Sequence, residues 1–391
     1  MKRLTQRAEL LFRLMHRFVN LIERFDGEEF RVDAIHSTLN PGLGRGTDNV
    51  IESASQSVKL GNSFISGFKC RARRREAMPT NQSIEVGPLK ETELEEADRI
   101  VRLAFGTFLG LPNPLEFMDD RTMMAPRWRS AHVTVLAARD GGRLVRSNVL
   151  TRWGSFAFFG PLTVLPEYWD RGVAQRLLEP TVAIFDKWGV RHSGLYTFSQ
   201  SAKHVGLYQK FGYWPRYLTA IMIRTPEAKS KTPTLLSALE KKQRAAAIQA
   251  CRKLTHRIDK GLDLTGEIQA VHAQSTGDVV LTFTRNVLDA FAVCLNGPGS
   301  EGGKKTCYVK FGAARGGAGA GERFEKLLDA CEAFAFSRGA TVEAGVNLAR
   351  EDAYRRMRSR GYRVAGQGVA MQRPHAEGFN RADAYVIDDW R

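Results

Sequence analysis

A strand, a tight turn and a helix follow one another within residues 162–178, and this order constrains the fold more than any other part of the sequence. Residues 156–165 form an apolar run that is typical of a buried strand. Pro166 ends the run, because proline cannot donate a hydrogen bond to a sheet ladder. Apolar residues then recur at helical spacing: Val173, Leu177, Leu178, Ile184, Phe185 and Trp188. We therefore expect an α/β fold with this strand near the centre of its sheet.

The turn between that strand and that helix has the features of an anion-binding site. Its sequence is Asp170-Arg171-Gly172-Val173-Ala174. The first turn of a helix presents unpaired N–H groups and the positive end of the helix dipole, so such a turn suits a pyrophosphate. Gly172 allows a ligand to approach the main chain, Ala174 keeps that approach open, and Arg171 adds positive charge. Many α/β proteins have a similar turn without a ligand, so the turn alone is not specific.

A second motif lies at residues 201–213, which read SAKHVGLYQKFGY. The pattern predicts a short helix that ends at a glycine and leads into a strand. Together the two motifs resemble the GNAT superfamily of N-acetyltransferases, and the resemblance extends over residues 82–225. Four features keep the family spacing: Val164-Leu165-Pro166 as V-x-P, the turn with Gly172 and Ala174, Leu207-Tyr208, and Gly212-Tyr213. Three residues depart from the family: Trp169 replaces Gln or Arg, Ser201 replaces Asn, and His204 replaces Ala.

The resemblance implies acetyl-CoA as the co-substrate. It places the pantetheine arm along the strand, commonly at a bulge, and the pyrophosphate at the turn. The residues that it assigns to acetyl-CoA are Leu162, Thr163, Val164, Asp170, Arg171, Gly172, Val173, Ala174 and Gln175. It also makes Tyr208 the candidate acid that protonates the leaving thiolate. The alternative for Tyr208 is a buried packing tyrosine with a bonded hydroxyl.

The general base of such a reaction is not identified by the sequence. His192, His204 and Glu167 lie near the motifs in the chain, and a water chain is an alternative. Residues 110–128 contain three prolines and many methionines and aromatic residues. In the fold that the resemblance implies, this segment lies beside the acceptor site, and a loop that covers the core is the other interpretation.

A second α/β unit repeats the order strand, glycine turn, helix, strand, helix, Gly-aromatic and strand. Counting back from Gly361 gives Met357 where the first unit has Tyr208, and no V-x-P precedes the glycine-rich turn at 315–321. The resemblance therefore implies two tandem GNAT-like folds, each a mixed sheet flanked by helices, with only the first active. We expect four segments: an extension (1–77), a catalytic domain (78–226), a basic linker with a helix (227–260) and a divergent GNAT-like domain (261–391).

The extension fits poorly with the rest of the chain. It begins with an arginine-rich amphipathic pattern and continues through a stretch rich in Ser, Gly and Asn. One hypothesis is that the coding start is misassigned and that the native chain begins at Met78. The rival is a helix that binds a membrane surface or a partner protein.

Charge and cysteine content exclude several other classes of protein. The formal net charge is +16, but the excess is densest in residues 227–260, with nine basic and three acidic residues, rather than in either domain. A nucleic-acid footprint should cluster on one face of a domain, so the distribution disfavours nucleic-acid binding. No apolar run is long enough to span a membrane. The five cysteines are scattered and form no C-x-x-C, which favours a reducing cytoplasm and argues against a metal site.

These observations favour one function over two rivals. The favoured function is transfer of an acetyl group from acetyl-CoA to a primary amine by direct transfer in the first domain. The acceptor, a small molecule or a peptide, is not identified, because function depends on the site and not on the fold. The second domain is expected to shape the acceptor site or a homodimer interface. The rivals are a non-catalytic acyl-CoA-binding or regulatory protein and a nucleic-acid-associated protein.

Overall fold

A single mixed β-sheet of thirteen strands runs through the part of the chain that the computed structural model describes. The described residues are 84–169, 172, 174–228 and 232–391. They fall within one compact unit, Pro79–Arg391. The extension expected at residues 1–77 lies outside the described residues, and so do Asp170, Arg171 and Val173.

The elements of the first half follow the expected order. They are β1 (Ile84–Pro88), α1 (Leu94–Phe108), α2 (Met124–Trp128), β2 (Val133–Asp140), β3 (Arg143–Trp153), β4 (Phe156–Val164), α3 (Gln175–Trp188), β5 (His192–Thr197), α4 (Ala202–Gln209) and β6 (Trp214–Arg224). Gly141 and Gly142 join β2 to β3 with φ angles of 55° and 82°. Positive φ at both central residues is what a two-residue hairpin turn requires, so the local sequence explains this connection.

The second half repeats this order and adds one short strand at its end. Its elements are β7 (Thr234–Leu235), α5 (Lys241–Ile258), α6 (Thr265–Gln274), β8 (Gly277–Thr284), β9 (Val287–Gly297), β10 (Gly303–Ala314), α7 (Ala320–Ser337), β11 (Thr341–Asn347), α8 (Glu351–Ser359), β12 (Arg363–Arg373) and β13 (Val386–Ile387). Sequence patterns predicted the helix α5 and most of the strands. They did not indicate α6 or the short strand β13.

The two halves exchange their last long strands. The order across the sheet is β1-β2-β3-β4-β5-β12-β6-β11-β10-β9-β8-β7, and β13 pairs with β10 off this path. Strand β12 of the second half lies between β5 and β6 of the first half, antiparallel to both. Strand β6 in turn pairs with β11 of the second half, from Val342↔Arg224 to Asn347↔Thr219. Each half therefore completes its sheet only with a strand from the other.

Helices cover both faces of the first half of the sheet. Residues alternate between the two faces along β2, so that Leu136 and Ala138 belong to the core under α3, whereas Val135 and Ala137 belong to the core under α1. In the second half α5 and α6 share one core cluster, and α7 lies in another. The sheet is thus the middle layer of three.

The segment 110–128, for which two interpretations were open, bridges the two halves. Arg127 forms a buried ion pair with Glu301, with 2.6 Å between Nη2 and Oε2. Arg121 pairs with Glu343 at 3.1 Å. These two ion pairs join the segment to the second half of the sheet. A loop that covered only the core of its own domain would not form them.

Candidate active site

Two pairs of parallel strands separate from each other along their length. Strands β4 and β5 pair only from Phe156↔His192 to Phe158↔Gly194, although β4 continues to residue 164. Strands β10 and β11 pair only from Thr306↔Thr341 to Val309↔Ala344, although β10 continues to residue 314. Each half therefore contains a cleft where two neighbouring strands diverge.

A bulge in β4 lies at the start of the first cleft. Leu150 pairs with Phe159 and Asn148 with Leu162, so Gly160 and Pro161 together oppose the single residue between Asn148 and Leu150. A bulge bends its strand, and Pro161 has no N–H to offer a neighbouring strand. The bulge expected near residues 162–164 thus immediately precedes them, and it marks where β4 leaves β5.

The part of β4 beyond this bulge consists of Leu162, Thr163 and Val164, the residues predicted to bind pantetheine. Thr163 is paired with Ser147 of β3, and their side-chain oxygens lie 3.0 Å apart. The N–H of Leu165 donates to the carbonyl of Val145 on the same side. Because main-chain groups alternate in direction along an antiparallel strand, those of Leu162 and Val164 point away from β3 and towards the cleft. The indole N–H of Trp169 donates to the Val164 carbonyl at 2.9 Å.

The described part of the predicted turn leads directly into α3. Gly172 has a φ angle of 65°, and no atom lies within 4 Å of the position that a Cβ would take. Ala174 is the N-cap and Gln175 the first residue of α3. The helix therefore follows the end of β4 at which β4 and β5 have already separated.

Tyr208 lies in the core at the far end of β5. Its ring packs against Phe159, with 5.7 Å between ring centroids, and its hydroxyl is hydrogen-bonded to the side chain of Thr197, the last residue of β5. Burial raises the pKa of Tyr208 well above that of an ordinary tyrosine. The hydroxyl consequently keeps its proton at neutral pH and can act as an acid.

Two departures from the family pattern have local explanations. Ser201 is the N-cap of α4, and its hydroxyl accepts a hydrogen bond from the N–H of His204 at 3.4 Å. Serine is as good an N-cap as asparagine, so the helix loses nothing. The His204 ring packs against Phe108 with 5.1 Å between centroids, and Phe108 packs in turn against Phe198. Burial first, and then the charge of Lys203, lower the pKa of His204, so its imidazole is neutral at pH 7.

The other two residues considered as a base lie beside charged groups on other parts of the chain. Glu167 pairs with Arg143 at 3.0 Å on the surface. His192 Nδ1 lies 3.9 Å from the Asp259 carboxylate, at the start of β5. His204 is thus the candidate that shares α4 with Tyr208, one helical turn before it.

The second cleft is filled by the protein itself. Strand β13 pairs with β10 through Val386↔Ala313 and Ile387↔Gly312. On its other side the N–H of Asp388 donates to the Gly345 carbonyl of β11 at 3.0 Å. No strand of the described residues fills the first cleft in this way, since β4 pairs with β3 and β5 alone among them. Of the two clefts, therefore, only the second contains an inserted strand among the described residues.

Comparison with known proteins agrees with this geometry. The sequence model of the acetyltransferase (GNAT) family matches residues 100–213, which include β4, the turn, α3 and the Tyr208 motif. Residues 100–213 are therefore similar to a GNAT acetyltransferase domain. The match ends at Tyr213 and does not include the second half. No curated protein sequence matches the chain significantly.

Solved structures show that the likeness in fold extends over both halves. A candidate acetyltransferase from Pyrococcus horikoshii is 15% identical, covers 82% of this chain and 99% of its own, and has a TM-score of 0.56. A glucosamine N-acetyltransferase region of a fungal multi-domain β-N-acetylglucosaminidase is 13% identical, with 74% and 38% covered and a TM-score of 0.51. A tandem GNAT protein from the clavulanic acid pathway is 13% identical, with 74% and 98% covered and a TM-score of 0.47. At these identities the two higher scores establish the fold alone.

Two further findings concern cofactors and membranes. Within the described ranges, no group of three or more His, Cys, Asp or Glu residues is arranged to hold a metal ion. None of the helices in the same ranges has the length and apolar character needed to cross a membrane. The cysteines in the described ranges are unpaired and buried: Cys251, Cys294, Cys307 and Cys331.

Proposed function

We propose that this protein transfers an acetyl group from acetyl-CoA directly to a primary amine in its first GNAT domain. The observation that carries the proposal is the separation of β4 from β5 beyond Phe158, with α3 following the end of β4 and Tyr208 bonded at the end of β5. Acetyl-CoA fits these residues, because its thin pantetheine arm suits a gap between two strands and its phosphates suit a helix N-terminus. The acceptor is a small-molecule or peptide amine, and the proposed location is the cytoplasm.

Each residue of the cleft has a defined part in this reaction. Acetyl-CoA supplies an acetyl group activated as a thioester. The main-chain N–H groups of Leu162 and Val164 face the cleft and are the donors for the thioester oxygen, where one such donor contributes about 3 kcal/mol. A nitrogen–carbon bond forms as the carbon–sulfur bond breaks, and the Tyr208 hydroxyl protonates the leaving sulfur. His204, neutral at pH 7, is the proposed acceptor of the proton that the amine loses.

Holding the amine and the thioester together accounts for most of the rate enhancement in such a reaction. The divergent second half is proposed to provide the wall against which the acceptor lies, or a homodimer interface. The bridging contacts of segment 110–128 support the first of these roles, because they link the first domain to the second half beside α1.

The test is calorimetric titration of acetyl-CoA into the full-length protein and into two glycine variants. Gly172→Glu puts bulk and negative charge at the turn, so we expect acetyl-CoA binding to be lost. Gly189→Glu is the matched control, because Gly189 also has a positive φ, 63°, and open surroundings, but lies at the other end of α3. Both variants bear the same backbone strain. Equal loss of binding in both variants, or retention in Gly172→Glu, would contradict the assignment of the turn.

A second candidate function is that of a non-catalytic acyl-CoA-binding or regulatory protein. The observation that favours it is that the polar groups of the Trp169 and Tyr208 side chains already have partners within the protein. The Trp169 indole is bound to Val164 and is not directed at a phosphate, and the Tyr208 hydroxyl is already bonded to Thr197. A binder and an enzyme both retain acetyl-CoA, so the two are separated by turnover and not by affinity.

A further inference from the structure

Arg146 of β3 is fully buried and lacks the partners that a buried arginine needs. None of its Nε, Nη1 and Nη2 atoms has a hydrogen-bond partner in the part of the chain that the structure describes. The other buried arginines of that part, Arg127 and Arg350, pair with the carboxylates of Glu301 and Asp388. A buried charge without a counter-ion is strongly unfavourable, so Arg146 requires an explanation.

The surroundings of Arg146 are positively charged. Burial, together with the positive charge of Arg176, lowers the pKa of Arg146 to about 9, and the smaller effects of Tyr168 and Asp140 act in the other direction. An arginine keeps its proton at neutral pH in spite of such a shift, so the Arg146 guanidinium carries a full positive charge. The positive end of the α3 dipole adds to it.

The register of β3 places Arg146 under the first turns of α3. Arg146 lies opposite Val164 of β4, next to the cleft. Asn148, two residues along β3 and therefore on the same face, donates to the hydroxyl of Thr181 in α3 at 2.8 Å. Arg176 precedes Thr181 by five residues. Of the neighbouring charges, it changes the pKa of Arg146 most. Arg146 is thus displaced from Asn148 towards the N-terminus of α3 and the Gly172 turn.

We propose that Arg146 is a binding residue for the diphosphate of acyl-CoA, which it contacts from beneath the N-terminus of α3. The inference rests on the proposed function, and it adds a side-chain ligand from β3 to the main-chain N–H groups of the turn. Trp169 offers no such contact, because its N–H donates to Val164. A diphosphate at this point supplies the missing counter-ion for Arg146, Arg176 and the helix dipole together.

The arrangement has a consequence that a structural arginine would not share. The unliganded protein carries the cost of the unpaired charge, and the ligand removes it. Arg146→Met should therefore raise the melting temperature of the unliganded protein while it weakens acyl-CoA binding. Residues that are selected for binding at the expense of stability behave in this way.

The experiment compares four full-length proteins: wild type, Arg146→Met, Arg146→Lys and the control Arg152→Met. Arg152 lies on the same strand but at the other end of α3, where it donates to the carbonyl of Trp188 at 3.1 Å. Each protein is melted without ligand and titrated with acetyl-CoA, 3′-dephospho-CoA and pantetheine. We expect Arg146→Met to weaken both diphosphate-containing ligands roughly 10- to 100-fold and to leave pantetheine unaffected. Arg146→Lys should retain part of the affinity, and Arg152→Met should retain all of it.

The outcomes separate this inference from the proposed function. If the wild type binds acetyl-CoA and Arg146→Met binds it equally well, the role of Arg146 is wrong and the proposed function stands. If Arg146→Met melts at a lower temperature and loses all three ligands alike, Arg146 is a structural residue and the inference is again overturned. If the wild type binds none of the ligands, the proposed function itself fails, and the inference fails with it.

Discussion

Two buried tyrosines pack on the same aromatic ring and differ in what their hydroxyls contact. Tyr208 and Tyr213 both lie against Phe159, but Tyr208 is bonded to Thr197 at the end of β5, whereas Tyr213 is bonded to Ser193 near its start. Tyr208→Phe should lower kcat about 100-fold or more without changing the affinity for acetyl-CoA, because only the acid is lost. Tyr213→Phe is the matched control and should turn over normally. Wild-type turnover by Tyr208→Phe would favour the packing role and the non-catalytic alternative.

The pH dependence of turnover follows from the same burial. Tyr208 acts as an acid only while it is protonated, and its pKa is raised from 10.0. The rate should therefore show no alkaline decline from Tyr208 below pH 10. An alkaline limb with an apparent pKa below 10 that disappears in Tyr208→Phe, measured from kcat profiles, would show that the pKa is not raised.

At the scale of elements, the segment 385–391 is the clearest difference between the two halves. Its strand β13 fills the second cleft, and Trp390 continues to the first half, where it packs against Phe156 with 4.9 Å between ring centroids. Arg350, at the N-cap of α8, anchors the segment through the Asp388 carboxylate at 2.8 Å and the Val386 carbonyl at 2.9 Å. All of these groups are buried, so the segment is part of the core.

Removing the Arg350 side chain should destabilise the folded protein. Arg350→Met leaves the Asp388 carboxylate buried without its partner, and we expect the free energy of unfolding to fall by about 3–5 kcal/mol. Arg355→Met is the control on the same helix, since Arg355 pairs with Glu351 on the surface and should cost less than about 1 kcal/mol. Urea denaturation measures both. A loss in Arg350→Met no larger than in the control would mean that the segment is not anchored through Asp388.

At the scale of the whole molecule, the two similar halves differ in whether a strand is inserted in the cleft. Among the described residues no strand is inserted in the first cleft, whereas β13 occupies the second. The second half also has the buried Met357 where the first has Tyr208. We therefore expect a stoichiometry of one acetyl-CoA per chain, measured by calorimetry or native mass spectrometry. Two equivalents of acetyl-CoA per chain would require β13 to leave its cleft.

The exchange of β6 and β12 makes the halves mutually dependent. Strand β12 separates β5 from β6, and β6 separates β12 from β11, so each half lacks a central strand without the other. The buried ion pair of Arg127 with Glu301 joins the halves at a further point. A domain boundary drawn between β6 and β7 therefore remains a division of the sequence, and the sheet itself is continuous across it.

The sequence by itself determined the local elements and the family of the first domain. The hairpin at Gly141 and Gly142, the turn before α3 and the helix that carries Tyr208 are each encoded by neighbouring residues. The spacing of these residues in the sequence therefore predicts the elements.

Only the tertiary structure decided which cleft a strand fills, how the halves share a sheet and which buried arginine lacks a partner. The strand β13 has two residues and no periodic pattern, so its pairing with β10 has no signal in the sequence. Nothing in the sequence pattern of β3 distinguishes Arg146 from the other arginines of that strand. Its burial becomes visible only when Val164, Asn148 and α3 surround it. These features depend on contacts between residues far apart in the chain, and a pattern of neighbouring residues cannot encode them.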